Sequence, residues 1–413
     1  MVNFQVTKIR QRFFNNSLQN VKNEVRRELL RFDQLIKTGS EIAISVGSRG
    51  IDNLELVVKE TVQYVKDKGA FPFIIPAMGS HGGATAEGQQ TILTDYGITE
   101  EKMGAPVRAT MEVVEIKNEI SPNRLYMDKL AYASDGILMI NKIKPHTDFR
   151  GKYESGLAKM SVIGLGKEKG ANAIHKFGVY GLSQMLSGSA KQMFVTGKIL
   201  GGIALIENAY DKTMLVRALL SEEILDKEPE LLELAKKNRP TFPVENMDVL
   251  IIDRMGKNIS GVGIDTNIIG RIKIYGQDEP ENPSIKSIMV TDLTDESHGN
   301  AIGVGLADVI TKKLKDKIDY FVTYTNVMTS SFFERGKLPI VAETDVEALE
   351  LALRSCSYIK PGDERIIRLR DTLHLEELYV SNVILDEIKH QSNIEIVKSG
   401  VELLDRHGFF NSF

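Results

Sequence analysis

Three of the chain's seven histidines sit in settings that suit chemistry: His81 in AMGSHGGATAEG, His146 in NKIKPHTDFRG and His175 in GANAIHKFG. Imidazole has an ordinary pKa near neutrality, so two of them on opposite faces of a substrate exchange a proton in both directions. A third can bind a metal through one ring nitrogen. Sixteen residues before His175, Lys159 interrupts the apolar run SGLAKMSVIG. A lysine in apolar surroundings is driven towards its neutral, nucleophilic form, the state needed by Schiff-base and acyl-accepting lysines. Each feature has a plainer explanation: a lone loop histidine is usually a surface hydrogen-bonding residue. His374, His390 and His407, without a glycine setting, fit that explanation, and His298 is intermediate.

The charge around these residues is uneven. Between Ile140 and Lys176 there are eight basic and three acidic residues, a balance of +5 inside a chain whose net charge is −4. A solvated lysine-rich surface is one reading. The lysines are interleaved with Gly and His rather than lying on a polar helix face, which points to an anion-binding surface.

The elements that must position these groups follow from hydrophobic periodicity. EIAISVGSRG is a strand stopping at Gly47-Ser48-Arg49-Gly50. Leu54, Val57, Val58, Val62 and Val65 then recur at helical spacing, with Asp52 placed to cap the start and Gly69 the end. FPFIIPAM reads as a buried strand, GSHGGAT as a loop, AEGQQTILTDYG as a helix and SDGILMINKIKPHTDFRG as another strand with a polar loop. This alternation predicts an α/β domain with parallel strands, where ligands collect at the loops after the strands' carboxyl ends. Arg49, His81 and His146 all fall on such loops.

At 413 residues the chain predicts two α/β domains with a cofactor cleft between them. The prolines of NRPTFPVENMD mark a linker between Arg239 and Met247. We expect an N-terminal cofactor-binding and catalytic domain over 1–240 and a C-terminal domain over 247–392. The last segment, 393–413, reads as helical, and packing on the first domain or on the second is left open by the sequence.

Composition narrows the class. No apolar run approaches the roughly 20 residues of a membrane span. The first twenty residues lack an apolar core followed by a cleavage site, so the expectation is cytoplasmic. The acidic balance gives no reason to expect nucleic-acid binding. Cys356 is the only cysteine, which excludes an intrachain disulfide and a multi-cysteine metal site. GLGKEKG misses the dinucleotide fingerprint by one residue, and no G-K-[ST] phosphate loop is present.

AMGSHGGATAEG, KPHTDFRGKYESGLAKMSVIGLG and the histidine sixteen residues after the lysine resemble the nickel-dependent lactate racemase family. The resemblance implies two α/β domains around a nickel-pincer nucleotide. In this nicotinic-acid-derived mononucleotide, two sulfur arms and a ring carbon grip nickel, and a thioamide tethers it to a lysine. By motif, Lys159 falls on the tethering lysine and His175 on the histidine completing nickel coordination. His81 and His146 fall on the two acid/base histidines, and Arg49 on an arginine near the substrate anion. GIDTNIIGRIK looks like the family's D-x-N segment, which puts Lys273 on an active-site lysine with Arg271 as its rival. The implied partners are a small 2-hydroxy acid substrate and the cofactor-synthesis enzymes. The implied reaction moves the α-hydrogen as hydride to the cofactor while a histidine takes the hydroxyl proton, and the keto acid then regains hydride on its other face. Val46 stands where the lactate enzyme has aspartate, Gly82 where it has arginine, and the chain has no tryptophan. These departures suggest a substrate larger than lactate, such as a sugar acid, a dicarboxylate or an aryl lactate.

Two other functions compete with this racemase or epimerase reading. A non-catalytic nucleotide or acidic-metabolite binding protein would leave the histidines incidental. An NAD-dependent 2-hydroxy acid dehydrogenase would bind free dinucleotide, against the broken glycine fingerprint.

Overall fold

A computed structural model describes residues 4–117, 119–120 and 123–413. In chain order the strands are β1 (Gln5–Gln11), β2 (Glu41–Val46), β3 (Phe71–Pro76), β4 (Val113–Ile116), β5 (Leu125–Asp128), β6 (Gly136–Lys142), β7 (Ile199–Glu207) and β8 (Thr213–Leu220). They continue as β9 (Asn246–Ile252), β10 (Ser284–Val290), β11 (Val309–Thr311), β12 (Ile340–Ala342), β13 (Ile366–Leu369), β14 (Glu377–Val380) and β15 (Ile394–Glu402). The chain divides into two α/β units, Phe14–Arg239 and the combination of Met1–Phe13 with Pro240–Phe413. Among the described residues no helix is long and apolar enough to cross a membrane.

The unit Phe14–Arg239 is built on a five-stranded sheet of order β3-β2-β6-β7-β8, parallel except for the β7–β8 pair. Its strands read as unbroken apolar runs because both faces are covered. Ala43, Phe73, Ile137 and Met139 meet one core with Leu157, Ala158 and Met160. Ile42, Ile44, Ile74 and Leu138 meet the other with Val57, Val58, Val62 and Val65. The helix Leu54–Asp67 has the expected apolar stripe, and Gly69 takes the left-handed conformation (φ 73°) just past its end. Asp52 does not cap it. Asn53 (φ 62°) precedes the first turn without a side-chain cap, and Asp52 instead accepts the backbone N–H of Thr213 at 2.9 Å.

The other unit holds an eight-stranded sheet of order β12-β11-β10-β9-β13-β14-β1-β15. β9 to β13 run parallel, while β14, β1 and β15 pair antiparallel. Two expectations fail here. The first strand does not join the 1–240 domain: β1 lies between β14 and β15, where Val6 and Ile9 enter this unit's cores. The segment 393–413 is not helical: its residues 394–402 are the edge strand β15, paired with β1 of this unit. A strand paired on one side with mostly exposed side chains lacks a strong period-2 pattern, and its apolar spacing passed for helical.

Candidate active site

In the first unit the chain leaves β2 for β3 on one side, whereas β6 leads to β7 on the other. The order therefore reverses between β2 and β6, and the crevice at their carboxyl ends is where ligands sit in open parallel sheets. Arg49, His81 and His146 lie on the loops after β2, β3 and β6. The stretch bearing Lys159 seats directly on these two strands. Asn141, near the end of β6, donates from Nδ2 to Gly156 O at 2.8 Å, and Ser45 Oγ lies 3.8 Å from Met160 Sδ. A Cβ on Gly47 would stand 3.2 Å from Asn141 Oδ1 and 3.4 Å from Met160 Cε, so the β2 turn packs against both segments.

Lys159 ends a single α-turn, Leu157–Lys159, that continues into a π-helical stretch, Met160–Gly164. Leu165 N–H donates to Met160 O, five residues back, at 2.9 Å. Such insertions are common at functional sites. The turn's first N–H groups are held by a residue 69 positions beyond Lys159: Glu228 Oε2 accepts from Leu157 N (2.8 Å) and Ala158 N (3.0 Å). Glu228 Oε1, also buried, has no hydrogen-bond partner among the described residues. Burial pushes the Glu228 carboxyl up to about 7 against the opposing pull of those N–H groups.

Among the described residues Lys159 makes no hydrogen bond or ion pair, and its ammonium stands 5.5 Å from the Phe149 ring. Burial chiefly, then Arg49 and Lys144, bring it down to about 8 against the opposite pull of Asp148 and Glu154. Part of the side chain stays accessible, so the desolvation concentrates at the ammonium end. At that value an appreciable neutral fraction exists near pH 7 to 8, which is what a nucleophilic lysine requires.

His146 is 18% exposed. Its backbone N–H donates to the buried carboxylate of Glu154 (2.7 Å), its Nδ1 accepts Asp148 N–H (3.0 Å), and its ring lies 4.6 Å from that of Phe149. Burial first, then Lys159, hold its pKa well below the ordinary value, with Asp148 opposing. His81, on an exposed loop, has Nδ1 2.7 Å from Met78 O. The loop is pinned by Gln89 Nε2, which donates to Gly79 O (2.8 Å) and His81 O (3.2 Å). Gly79 N–H also donates to Gly164 O at 3.3 Å, bringing the His81 loop onto the Lys159 stretch.

His175 closes the helix Lys167–His175 with an exposed side chain. Its pKa is nevertheless lowered, by burial first, then by Lys159 and His81, with Asp148 opposing. Exposure means that water screens this shift, so its sign and its neighbours carry the information rather than its size. Arg49 is exposed, and its guanidinium makes no hydrogen bond or ion pair among the described residues. It is a charge neighbour of both Lys159 and His146. The structure thus brings Arg49, His81, His146, Lys159 and His175 into one electrostatic neighbourhood of a single unit. Arg271 and Lys273 belong to the other unit. The Arg271 fork is occupied by Asp308 (2.6 Å), Leu306 O (2.9 Å) and Ile285 O (3.0 Å), while Lys273 donates to Gly305 O (2.8 Å).

Some residues of the basic stretch prove structural. Lys142 pairs with Glu207. Lys167, fully buried, pairs with Asp128 at 3.0 Å and donates to Pro76 O and Gln89 Oε1. The two substitutions taken to enlarge the pocket have local reasons. Val46 is fully buried in the core beneath the sheet. A Cβ on Gly82 (φ 65°) would meet the Gly88 carbonyl carbon at 2.5 Å, so no side chain fits there whatever the substrate. Sequence reasoning passed over Asp148, although its place two residues after His146 was a readable signal. Glu228 offered none.

Among the described residues no group of three or more His, Cys, Asp or Glu is arranged to hold a metal ion. No family model matches the sequence, and no curated protein does. The fold is similar to that of the lactate racemase apoprotein from Thermoanaerobacterium thermosaccharolyticum. The two share a TM-score of 0.56 and 13% identity over 89% of this chain and 98% of that one.

Proposed function

We propose that this protein inverts the α-carbon of a 2-hydroxy acid, using a nickel-pincer nucleotide tethered to Lys159. The observation that carries the reading is the state of Lys159: an amine brought down to about 8, without a hydrogen bond or ion pair among the described residues, beside the β2–β6 crevice. The likeness of fold to a lactate racemase supports it.

The residues present fit such a group. Lys159 has the neutral fraction that thioamide formation needs. The loop after β3 packs tightly on the Lys159 stretch, where a Cβ on Gly164 would come within 2.7 Å of Ala77 O. A cofactor bringing its own metal donors asks one ligand of the protein, and His175, within electrostatic reach of Lys159, would supply it. When bound, the group would accept and return the substrate's α-hydrogen as hydride. Arg49, uncommitted to protein partners, would hold the substrate carboxylate, and His81 and His146 would meet its hydroxyl oxygen. Lys273 and Arg271 are both engaged by partners within their own unit.

The substrate is proposed to be larger than lactate, a view that now rests on the absence of tryptophan, since Val46 and Gly82 have structural reasons. The test is the intact mass of protein co-expressed with cofactor-making enzymes in nickel medium, beside Lys159→Ala. A mass increase of one nucleotide with nickel, absent in the variant, is expected. No adduct, in a host shown to load a known family member, would overturn the proposal. A racemisation panel in which lactate alone turns over would remove the larger substrate.

A further inference from the structure

The segment that carries Lys159 hangs from the helix Ile224–Lys237, which contributes none of the residues predicted for the site. The turn Leu157–Lys159 needs acceptors for its first N–H groups, and Gly156, in the capping position, has no side chain to offer. Glu228 Oε2 takes that part from the distant helix, accepting from Leu157 N (2.8 Å) and Ala158 N (3.0 Å). A Cβ on Gly156 would collide with the Glu228 carboxyl, so the bare glycine is what admits the remote cap.

The same helix holds the residues on either side. Pro229 lies inside it and has no N–H, so the carbonyl of Leu225, four residues earlier, lacks its helical donor. The Tyr153 hydroxyl donates to Leu225 O instead, at 2.5 Å. Towards the helix's far end, the Lys236 ammonium stands 3.1 Å from Glu154 Oε1, and the other oxygen of that carboxylate accepts His146 N–H at 2.7 Å. Tyr153, Glu154 and Glu228 are all buried. Packing alone would favour an apolar side chain at 228, like the neighbouring Leu232, over a buried carboxylate with one oxygen unbonded among the described residues.

We infer that Glu228 is a positioning residue for Lys159: it caps the lysine's turn from a separate helix and, with Tyr153 tied to Leu225 and Glu154 to Lys236, fixes where the amine stands beside the Phe149 ring. This deepens the reading of Lys159 as the cofactor's anchor and rests on it. A lysine whose backbone is free to shift swings its ammonium into water, where it returns to the ordinary protonated state. Capping the turn removes that freedom and keeps the amine desolvated and aimed.

The test is the pH midpoint at which an acylating reagent labels Lys159 in the unloaded protein, read by peptide mass. The native midpoint is expected near 8. Glu228→Ala should raise it by about one pH unit or more, towards 10.5, as the amine meets solvent. Glu228→Gln keeps an acceptor oxygen and should stay near the native midpoint, while Tyr153→Phe, losing only a hydroxyl, should shift it upward by less than Glu228→Ala. Glu28 serves as the matched control, a second buried glutamate of this unit, on the helix Val21–Leu29, which accepts Ala218 N–H at 2.8 Å. Glu28→Ala should weaken the fold and leave the midpoint in place. An unmoved midpoint in Glu228→Ala, a shift in Glu228→Gln as large as in Glu228→Ala, or an equal shift in Glu28→Ala overturns the inference. Should Glu228→Ala fail to fold, an unmoved midpoint in Tyr153→Phe overturns it. A native midpoint at 10.5 would overturn the reading of Lys159 itself and the inference with it, so the two failures are distinguishable.

Discussion

The two units share a design and use it differently. In each, a parallel sheet reverses its order beside one strand, β2 in the first and β9 in the second, where β10 lies to one side and β13 to the other. In the second unit the polar groups near this reversal bond to one another. Arg254 pairs with Asp371 (3.0 Å), Arg368 grips Asp253 (2.7 and 2.9 Å), and Thr294 bonds to Asn258 and Ser297 (2.7 Å each). In the first unit, Arg49 and Lys159 stand without hydrogen bonds or ion pairs among the described residues. Topology provides a crevice in both; charge left uncommitted makes a candidate site in one.

The comparison reaches down to two lysines eight residues apart, and the largest effect should separate them. Lys167→Met strands the buried carboxylate of Asp128 and should cost about 3–5 kcal/mol in urea unfolding. Lys159→Met breaks no pair, so stability should hold or rise while the amine chemistry disappears. If both variants lose stability equally, the distinction between committed and uncommitted lysines fails.

Glu228 lies between these extremes, because it commits one oxygen and leaves the other unbonded. Glu228→Ala removes the acceptor for two buried N–H groups and should cost about 1–3 kcal/mol, whereas Glu228→Gln keeps an acceptor and should cost less. Its pKa rises on folding from 4.5 to about 7. Between those values the folded state holds a proton that the unfolded state has released. The associated stability is therefore complete below pH 4.5 and lost as pH rises through about 7. Unfolding series for the native protein and Glu228→Gln should diverge over this window; parallel curves would mean that the carboxyl is solvated.

The smallest effect probes the site's charges. The rate at which an acylating reagent labels Lys159, read by peptide mass, should reach its midpoint near pH 8 instead of 10.5. Arg49→Ala should move that midpoint up and Asp148→Asn down, while Arg254→Ala in the other unit should leave it in place. A midpoint indifferent to Arg49 would show that solvent screens the loop after β2.

Much of the first unit was legible because its strands are buried on both faces and its helices carry a clear stripe. The runs at 41–46, 71–76 and 136–142 announce themselves as strands, and the loops following them hold Arg49, His81 and His146. β15 was misread because an exposed edge strand has no strong pattern. The placement of β1 was missed because pairing with β14 and β15 spans more than 360 residues, a distance over which periodicity is silent.

The sequence by itself determined which residue types were available and, through local periodicity, that they would lie at strand ends. Only the tertiary structure decided which charges found partners. It silenced Lys167 with Asp128, left Lys159 uncommitted, and brought Glu228 to the start of the Lys159 turn. These outcomes depend on contacts between residues far apart in the chain. A side chain's protonation is set by the groups it meets in space, and those groups are fixed only when the chain has folded.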